Sequence, residues 1–424
     1  VLSVQYIREN TDRVKRDMLL RNTSAPIDRI LQLDDERRRL LVEVEQLRAE
    51  RNVASKAIGQ TKDPDERNRR IAEQREVGQR IDYLDAQLRR VEGELQAQLL
   101  EVPNIVDPTV PKGPDEHSNV VVEQVGELPA FGFAPRPHWE LGELLGGIDF
   151  ERGVKMSGSR FFTLRGGVAR LHRALIQFML DQHTAAGFTE YYLPYMLSEA
   201  SLFAAGQLPK FRDNLYRDAE EDYFFTPTAE VPFANLYRDE ILPPGSLPQR
   251  LVAHTPCFRR EKMSAGRDVR GIKRVHQFEK VELFVYCEPE ESEAEHEHLV
   301  RRARSIPELL ELPHRIVQLC TGDLGFSAAK TFDIEIWAPG GGEWIEVSSA
   351  SNCLDFQARR ANVRYRPAAD HAPRFPHMLN ASGLAPGRTL IAVLENYQRE
   401  DGSIVIPGAL RPYMGVDQLR PATT

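Results

Sequence analysis

T-P-C-F-R-R-E-K-M-S-A-G-R-D-V-R-G-I-K-R-V-H-Q-F-E-K-V-E-L-F occupies residues 255–284. Two apolar, strand-like limbs flank a charged loop. The return limb alternates, with Val275 and Gln277 on one side and His276 and Phe278 on the other, which predicts a hairpin. The loop carries Arg259, Arg260, Lys262, Arg267, Arg270, Lys273 and Arg274, with Gly266 and Gly271 as hinges. Guanidinium forks match phosphate oxygens, so such a loop suits a polyanion held above a sheet. A solvated surface loop is the competing reading. Glu261, Phe278 and Glu282 weigh against it. Cations, an aromatic face and two carboxylates at strand spacing favour a site for an aromatic phosphate ester.

The rest of the chain sets limits. Its 424 residues are enough for two or three domains and a large core. Apolar residues make up 41% and charged ones 28%, ordinary for a globular protein. No apolar run reaches about 18 residues, so no membrane-spanning helix is expected. The opening V-L-S-V-Q-Y-I-R-E-N lacks the apolar core of a signal peptide, so export is not expected. With Val1 in place of Met, the true start is expected to lie just upstream or to be processed. Cys257, Cys287, Cys320 and Cys353 are widely spaced and form no C-x-x-C. That argues against structural zinc or a disulfide framework and fits a reducing cytoplasm. A net charge of −8 means that any RNA partner must meet local basic patches.

The N-terminal part has the clearest period. Ile30, Leu33, Arg37, Leu40, Val44, Leu47, Arg51, Ala54 and Ile58 form a heptad seam. Thr61-Lys62-Asp63-Pro64 breaks it, and a second seam runs through Val77, Ile81, Leu84, Leu88, Val91 and Leu95 to Gln98 and Val102. The pattern predicts an antiparallel helical hairpin over about 27–102, each helix roughly 48 Å long at 1.5 Å per residue. By itself such a hairpin reads equally as a dimerising coiled coil. Residues 103–155, rich in Pro and Gly, read as an irregular linker between an N-terminal domain (1–103) and a body (156–424). In the body, strands are expected at 160–164, 188–194, 223–227, 250–255, 275–286, 314–319, 331–337 and 343–348. Helices are expected at 168–182, 230–239, 290–312 and 387–400. Strands joined mostly by hairpins predict an α+β fold on a mainly antiparallel sheet flanked by helices. No G-x-G-x-x-G or G-x-x-x-x-G-K-[ST] is present, which disfavours Rossmann and P-loop folds. Gly340-Gly341-Gly342 reads as a hairpin turn rather than a phosphate cradle.

Five segments in order carry a resemblance over essentially the whole chain. G-F-T-E-Y-Y-L-P (187–194) resembles the dimer-interface motif of class II aminoacyl-tRNA synthetases. F-R-R-E with R-V-H-Q-F-E-K-V-E (258–261, 274–282) resembles their second motif, and G-L-A-P-G-R-T-L-I-A-V-L-E-N (383–396) the third. T-A-E-V-P (228–232) and S-N-C-L-D-F-Q-A-R-R (351–360) resemble signatures of the bacterial-type seryl-tRNA synthetases.

The resemblance implies an ATP-dependent serine–tRNA ligase that forms seryl-adenylate and then seryl-tRNA. Arg259 would contact the α-phosphate and the serine carboxylate, and Arg388 the γ-phosphate. Phe278 would stack on adenine, and Glu261 would accept from its amino group. Glu346 and Ser349 would hold Mg²⁺ with few protein ligands, as suits that ion. Thr228 and Glu230 would read the serine ammonium. Glu282 and Ser382, with Asn380 nearby, would read the hydroxyl. No zinc, protein nucleophile or general base is implied. The implied partners are tRNA(Ser), with tRNA(Sec) where present, gripped by the helical arm, and a second copy of the chain in a homodimer.

Two departures stand out. Relatives commonly read F-R-S-E-A-G-S-A-G where this chain has Arg260, Lys262 and Met263, and Thr where it has Ser382. Strand alternation is expected to turn Arg260 and Lys262 away from Glu261, toward solvent and an acceptor end. Two other functions fit parts of the pattern: an amino-acid-activating paralogue that loads a carrier protein, and an inactive coiled-coil scaffold. The arm speaks against the first, and the retained Arg259, Glu261, Phe278, Glu346, Ser349 and Arg388 against the second.

Overall fold

The computed structural model describes residues 1–262 and 270–421. Met263, Gly266 and Arg267 of the basic loop lie outside the described residues. The chain forms two compact units: residues 1–19 with 23–103, and residues 20–22 with those from 104 onward.

The first unit is built on α1 (Ile27–Gln60) and α2 (Pro64–Leu100). The heptad period puts Ile30, Leu33, Leu40 and Val44 against Ile81, Leu84, Val91 and Leu95, all buried. Between the helices Asp63 accepts from the Asp65 amide and Pro64 takes the first helical position, where a missing N–H costs nothing. Burial fades toward this turn: Leu47, Ala54, Ile58 and Val77 are only half-buried. Arg29–Glu94 at 2.5 Å, Arg80–Glu43 at 2.8 Å and Arg48–Asp85 at 2.8 Å cross between the helices in antiparallel register. Exposed pairs of this kind fix register more than they stabilise.

The second unit is organised by one eight-stranded sheet. Its strands are β1 (Val120–Val125), β2 (Thr189–Glu190), β3 (Gln249–Phe258), β4 (Gln277–Cys287), β5 (His314–Gln318), β6 (Lys330–Ala338), β7 (Glu343–Asn352) and β8 (His377–Ser382). They lie in the order β1-β5-β6-β7-β8-β4-β3-β2. All neighbours are antiparallel except β2 and β3. Alternation divides the side chains between two cores. Val281, Leu283 and Val285 of β4, with Leu379 and Ala381 of β8, enter a core formed with α3 (Gly166–Ala185), α4 (Ser292–Leu309) and α5 (Pro386–Asn396). Phe284 and Tyr286 of β4 and Met378 of β8 face the opposite way, into a smaller core with Phe233, Leu202 and Ala358. Phe278, Lys280 and Glu282 share that second face, as do Asn380 and Ser382, because strand side chains repeat every two residues.

Several local expectations need correction. The stretch 103–155 is not an irregular linker: it supplies edge strand β1, the helix His138–Leu144 and the helix Phe150–Ser157. Pro137 immediately precedes the first of these helices and does not prevent it. The strands expected at 160–164, 188–194 and 223–227 shrink to Thr163–Leu164, Thr189–Glu190 and Phe224–Phe225. The helix expected over 230–239 stops at Ala234, and Asp239 has a left-handed φ of 65° that no helix continues through. Strand β8 was not anticipated. It lies between β7 and β4, and Met378, Leu379, Asn380, Ala381 and Ser382 are all buried; its apolar–polar alternation covers only Leu379 to Ser382, too short a run to stand out. Gly340-Gly341-Gly342 is the turn between β6 and β7, and the amides of Gly340 and Gly341 donate to Glu395.

Candidate active site

A cleft of about 580 Å³ opens on the second face of the sheet, over β4, β7 and β8. Of the residues singled out from the sequence, Thr228, Glu230, Arg259, Glu261, Phe278, Glu346, Ser349, Asn380, Ser382 and Arg388 line it. Glu282 does not. It is fully buried against Thr228 and Lys280, which do.

A β-bulge puts Glu346 and Ser349 together. Residues three apart on a regular strand point to opposite faces. Here Ile334 of β6 pairs with Ser348 and Glu335 with Glu346, which leaves Val347 without a partner. The extra residue turns both oxygen-bearing side chains into the cleft. Asp333 pairs with Ser349 in register, and its Oδ1 is buried without a hydrogen-bond partner among the described residues. Burial, helped by the charge of Glu346, holds the Asp333 carboxyl well above the usual range.

One end of the cleft is cationic. Arg259 follows the last residue of β3, and its amide bonds to the His276 carbonyl, so the hairpin pairing extends one step beyond both strands. Its guanidinium donates to Pro227 O and lies 5.0 Å from the centre of the Phe278 ring. Arg388, in the first turn of α5, donates to Glu346 O at 2.7 Å and lies 3.3 Å from its Oε2. Glu261 has a left-handed φ of 50° and pairs with Arg274 at 3.1 Å. The strand has already ended at Phe258, so alternation does not set the directions of Arg260 and Lys262. Both are nevertheless exposed. Arg260 lies 6.0 Å from the Tyr216 ring, and the Arg260 and Lys262 amides are held by Asn214.

The other end is acidic and enclosed. Glu282 pairs with Lys280 at 2.5 Å, and Lys280 also donates to Thr228 Oγ1 at 2.9 Å. Glu230 accepts from Gln357 at 2.6 Å. Burial pushes the Glu282 carboxyl up to about 7 against the pull of Lys280, and the nearby charge of Glu230 adds to the rise. Burial also raises Glu230, opposed by Lys280 and Gln357. Glu282 Oε1 has no partner within the described residues. A buried carboxylate oxygen without a donor is costly unless a ligand supplies one.

Lys280 and Gln357 escaped the sequence reading. Lys280 was legible in principle, since it stands two residues from both Phe278 and Glu282 on an alternating strand. Gln357 left no such signal, because its place beside Glu230 depends on packing between segments far apart in the chain.

Comparison with known proteins agrees with this geometry. Residues 1–106 match the seryl-tRNA synthetase N-terminal domain, and residues 210–397 match the class II tRNA synthetase core domain of the G, H, P, S and T type. A serine–tRNA ligase of Thermomicrobium roseum is 58% identical over 99% of this chain and 94% of its own. That of Roseiflexus sp. is 57% identical over 98% of each. A seryl-tRNA synthetase from Pyrococcus horikoshii, solved in complex with ATP, superposes with a TM-score of 0.95 at 40% identity over the full length of both chains. A cytoplasmic serine–tRNA ligase from Naegleria fowleri, in complex with AMP, gives 0.89 at 29% identity, covering 100% of this chain and 99% of its own. The chain therefore belongs to the seryl-tRNA synthetase family and is an aminoacyl-tRNA ligase that joins serine to tRNA.

Proposed function

We propose that the cleft first joins serine to AMP from ATP and then passes the seryl group to tRNA(Ser), and to tRNA(Sec) where that is present. The observation that carries this reading is the polarity of the cleft: two guanidinium groups at one end, that of Arg259 over the Phe278 ring, and carboxylates around a lysine at the other. Attack of a carboxylate on a phosphorus brings two anions together, so catalysis rests on cancelling charge and holding geometry. Arg259 suits the α-phosphate and serine carboxylate, Arg388 the γ-phosphate, Phe278 the adenine face and Glu261 the adenine amino group. Thr228 and Glu230 suit the ammonium. The hydroxyl would give Glu282 Oε1 its missing donor, with Ser382 and Asn380 beside it. ATP–pyrophosphate exchange tests the reading. Exchange should depend on serine and fail with alanine or glycine, which leave the buried carboxylate unpaired. Exchange indifferent to the amino acid would overturn it.

Glu346 and Ser349 fit Mg²⁺, because the bulge presents two hard oxygen donors on one face. Among the described residues no cluster of three or more His, Cys, Asp or Glu could hold a metal, so the nucleotide and water would complete the coordination. When bound, the ion would neutralise phosphate charge. The helical hairpin would grip the tRNA by shape and phosphate contacts. A homodimer would bury Tyr192 and Met196, exposed at 86% and 49% on and beside the 187–194 segment. The four free, buried cysteines suit a reducing cytoplasm. No described helix is long and apolar enough to cross a membrane.

The raised Glu282 carboxyl has two measurable consequences. The charged form accepts the serine hydroxyl, so KM for serine should fall as pH rises through about 7. Glu282→Gln should raise KM and flatten this dependence. Stability should move the opposite way. The native state binds the proton more tightly than the unfolded chain, so stability present below the ordinary glutamate value of 4.5 is lost as pH rises through about 7. Denaturant titrations should show this loss in the parent and a weaker one in Glu282→Gln. A pH-independent KM in the parent would remove the hydroxyl-reading role.

The exposure of Arg260 and Lys262 supports a contact with a phosphate backbone, which would be sequence-independent and salt-sensitive. The double change Arg260→Ser, Lys262→Ala should weaken tRNA charging and flatten its salt dependence, with pyrophosphate exchange nearly unchanged. An unaltered salt slope would leave the two cations as surface charges only.

A further inference from the structure

Residues 324–328, Leu-Gly-Phe-Ser-Ala, form a wall of the cleft without regular secondary structure; Gly325, Phe326, Ser327 and Ala328 line it. Backbone carbonyls in such a segment need donors. Each of the five finds one in Arg21 or Asn104. Arg21, 8% exposed, donates Nη1 to Ala328 O at 3.0 Å and Nη2 to Gly325 O at 2.6 Å and Leu324 O at 3.2 Å. Asn104, 1% exposed, donates its amide N–H to Phe326 O at 3.0 Å and Nδ2 to Ser327 O at 2.9 Å. The same Nδ2 reaches Cys353 O at 2.8 Å, and Asn104 Oδ1 accepts from the Ile105 amide, so its orientation is set.

The wall adjoins the acidic end of the cleft. The ring of Phe326 meets Phe211 and Phe356 edge-on, and Arg360 lies 5.6 Å from its centre. Arg360 also donates to Phe203 O and Leu208 O, which frame the facing wall at Gly206 and Gln207. Asn380 Nδ2 lies 3.7 Å from the sulfur of Cys353, whose carbonyl Asn104 holds. Both segments thus border the place proposed for serine.

We propose that Arg21 and Asn104 are positioning residues that set the width of the amino-acid end by fixing the carbonyls of residues 324–328. They touch no substrate. A planar guanidinium with five donors can span three carbonyls, and a lysine ammonium cannot reproduce that fork.

The inference rests on serine occupying this end, so its test includes a control on that placement. Arg21→Ala, Arg21→Lys, Asn104→Ala and Thr228→Ala would be compared with the parent, as full chains, in pyrophosphate exchange. The Arg21 and Asn104 variants should raise KM for serine about tenfold, change KM for ATP less than about twofold, and largely keep kcat, which an interaction made equally in ground and transition states predicts. Arg21→Lys should recover only part of the loss. Should the Arg21 and Asn104 variants keep the parental serine KM while Thr228→Ala raises it, the positioning role falls and the placement of serine stands. Should Thr228→Ala leave serine KM unchanged, the placement falls and the inference with it. A rise in both KM values together would mark general loosening and would also overturn it. Arg21→Lys guards against a folding failure: it keeps a buried cation that donates to these carbonyls, and at parental Tm it should show the same split between the two KM values.

Discussion

Deleting residues 27–102 and joining the ends with a Gly/Ser linker should abolish efficient charging of tRNA while leaving serine-dependent pyrophosphate exchange largely intact. The helices α1 and α2 bury their own apolar seam, from Ile30 to Val44 against Ile81 to Leu95, and the catalytic unit has separate cores around its sheet. The deletion also spares Arg21 and Asn104, so the wall at 324–328 keeps all its donors. A hairpin that serves only as an RNA handle contributes to the second reaction and not to the first. Comparing the two rates in a variant that remains folded and of parental oligomeric state decides the matter. Equal loss of both would show that the hairpin acts on the chemistry as well.

Arg259→Lys should lower adenylate formation about tenfold or more, equivalent to about 1.4 kcal/mol in the barrier. The guanidinium is already pinned by Pro227 O and lies 5.0 Å from the Phe278 ring centre, so its plane faces the cleft before any ligand arrives. Lysine keeps the charge but loses both the flat face and the two-pronged contact with phosphate or carboxylate. The fall should appear in kcat as well as in KM, because the charge being cancelled grows in the transition state. Near-parental exchange would place the α-phosphate contact elsewhere.

The sequence by itself determined the parts whose signal is local and periodic. The two heptad seams and the Asp63-Pro64 break are enough to specify α1, α2 and their turn, since each helix places its own apolar side chains on one stripe. Alternation along β4 set Phe278 and Glu282 on one face, and it carried Lys280 with them. Motif order brought Arg259, Glu261 and Arg388 forward as candidates, and all three line the cleft. Only the tertiary structure decided how these groups meet. Strand β8 is buried on both faces and alternates only over Leu379–Ser382, too short a run to stand out, and the neighbourhood of Asn380, Ser382 and Glu282 exists only through its pairing with β4. The bulge at Val347 depends on the register with β6, so a spacing of three residues could not reveal that Glu346 and Ser349 share a face. Residues 103–155 look irregular alone because β1 exists only as the edge partner of β5. Lys280 beneath Thr228, and Arg21 and Asn104 around residues 324–328, are matched by distance in space, and a donor finds a carbonyl some 300 positions away only after the cores have formed.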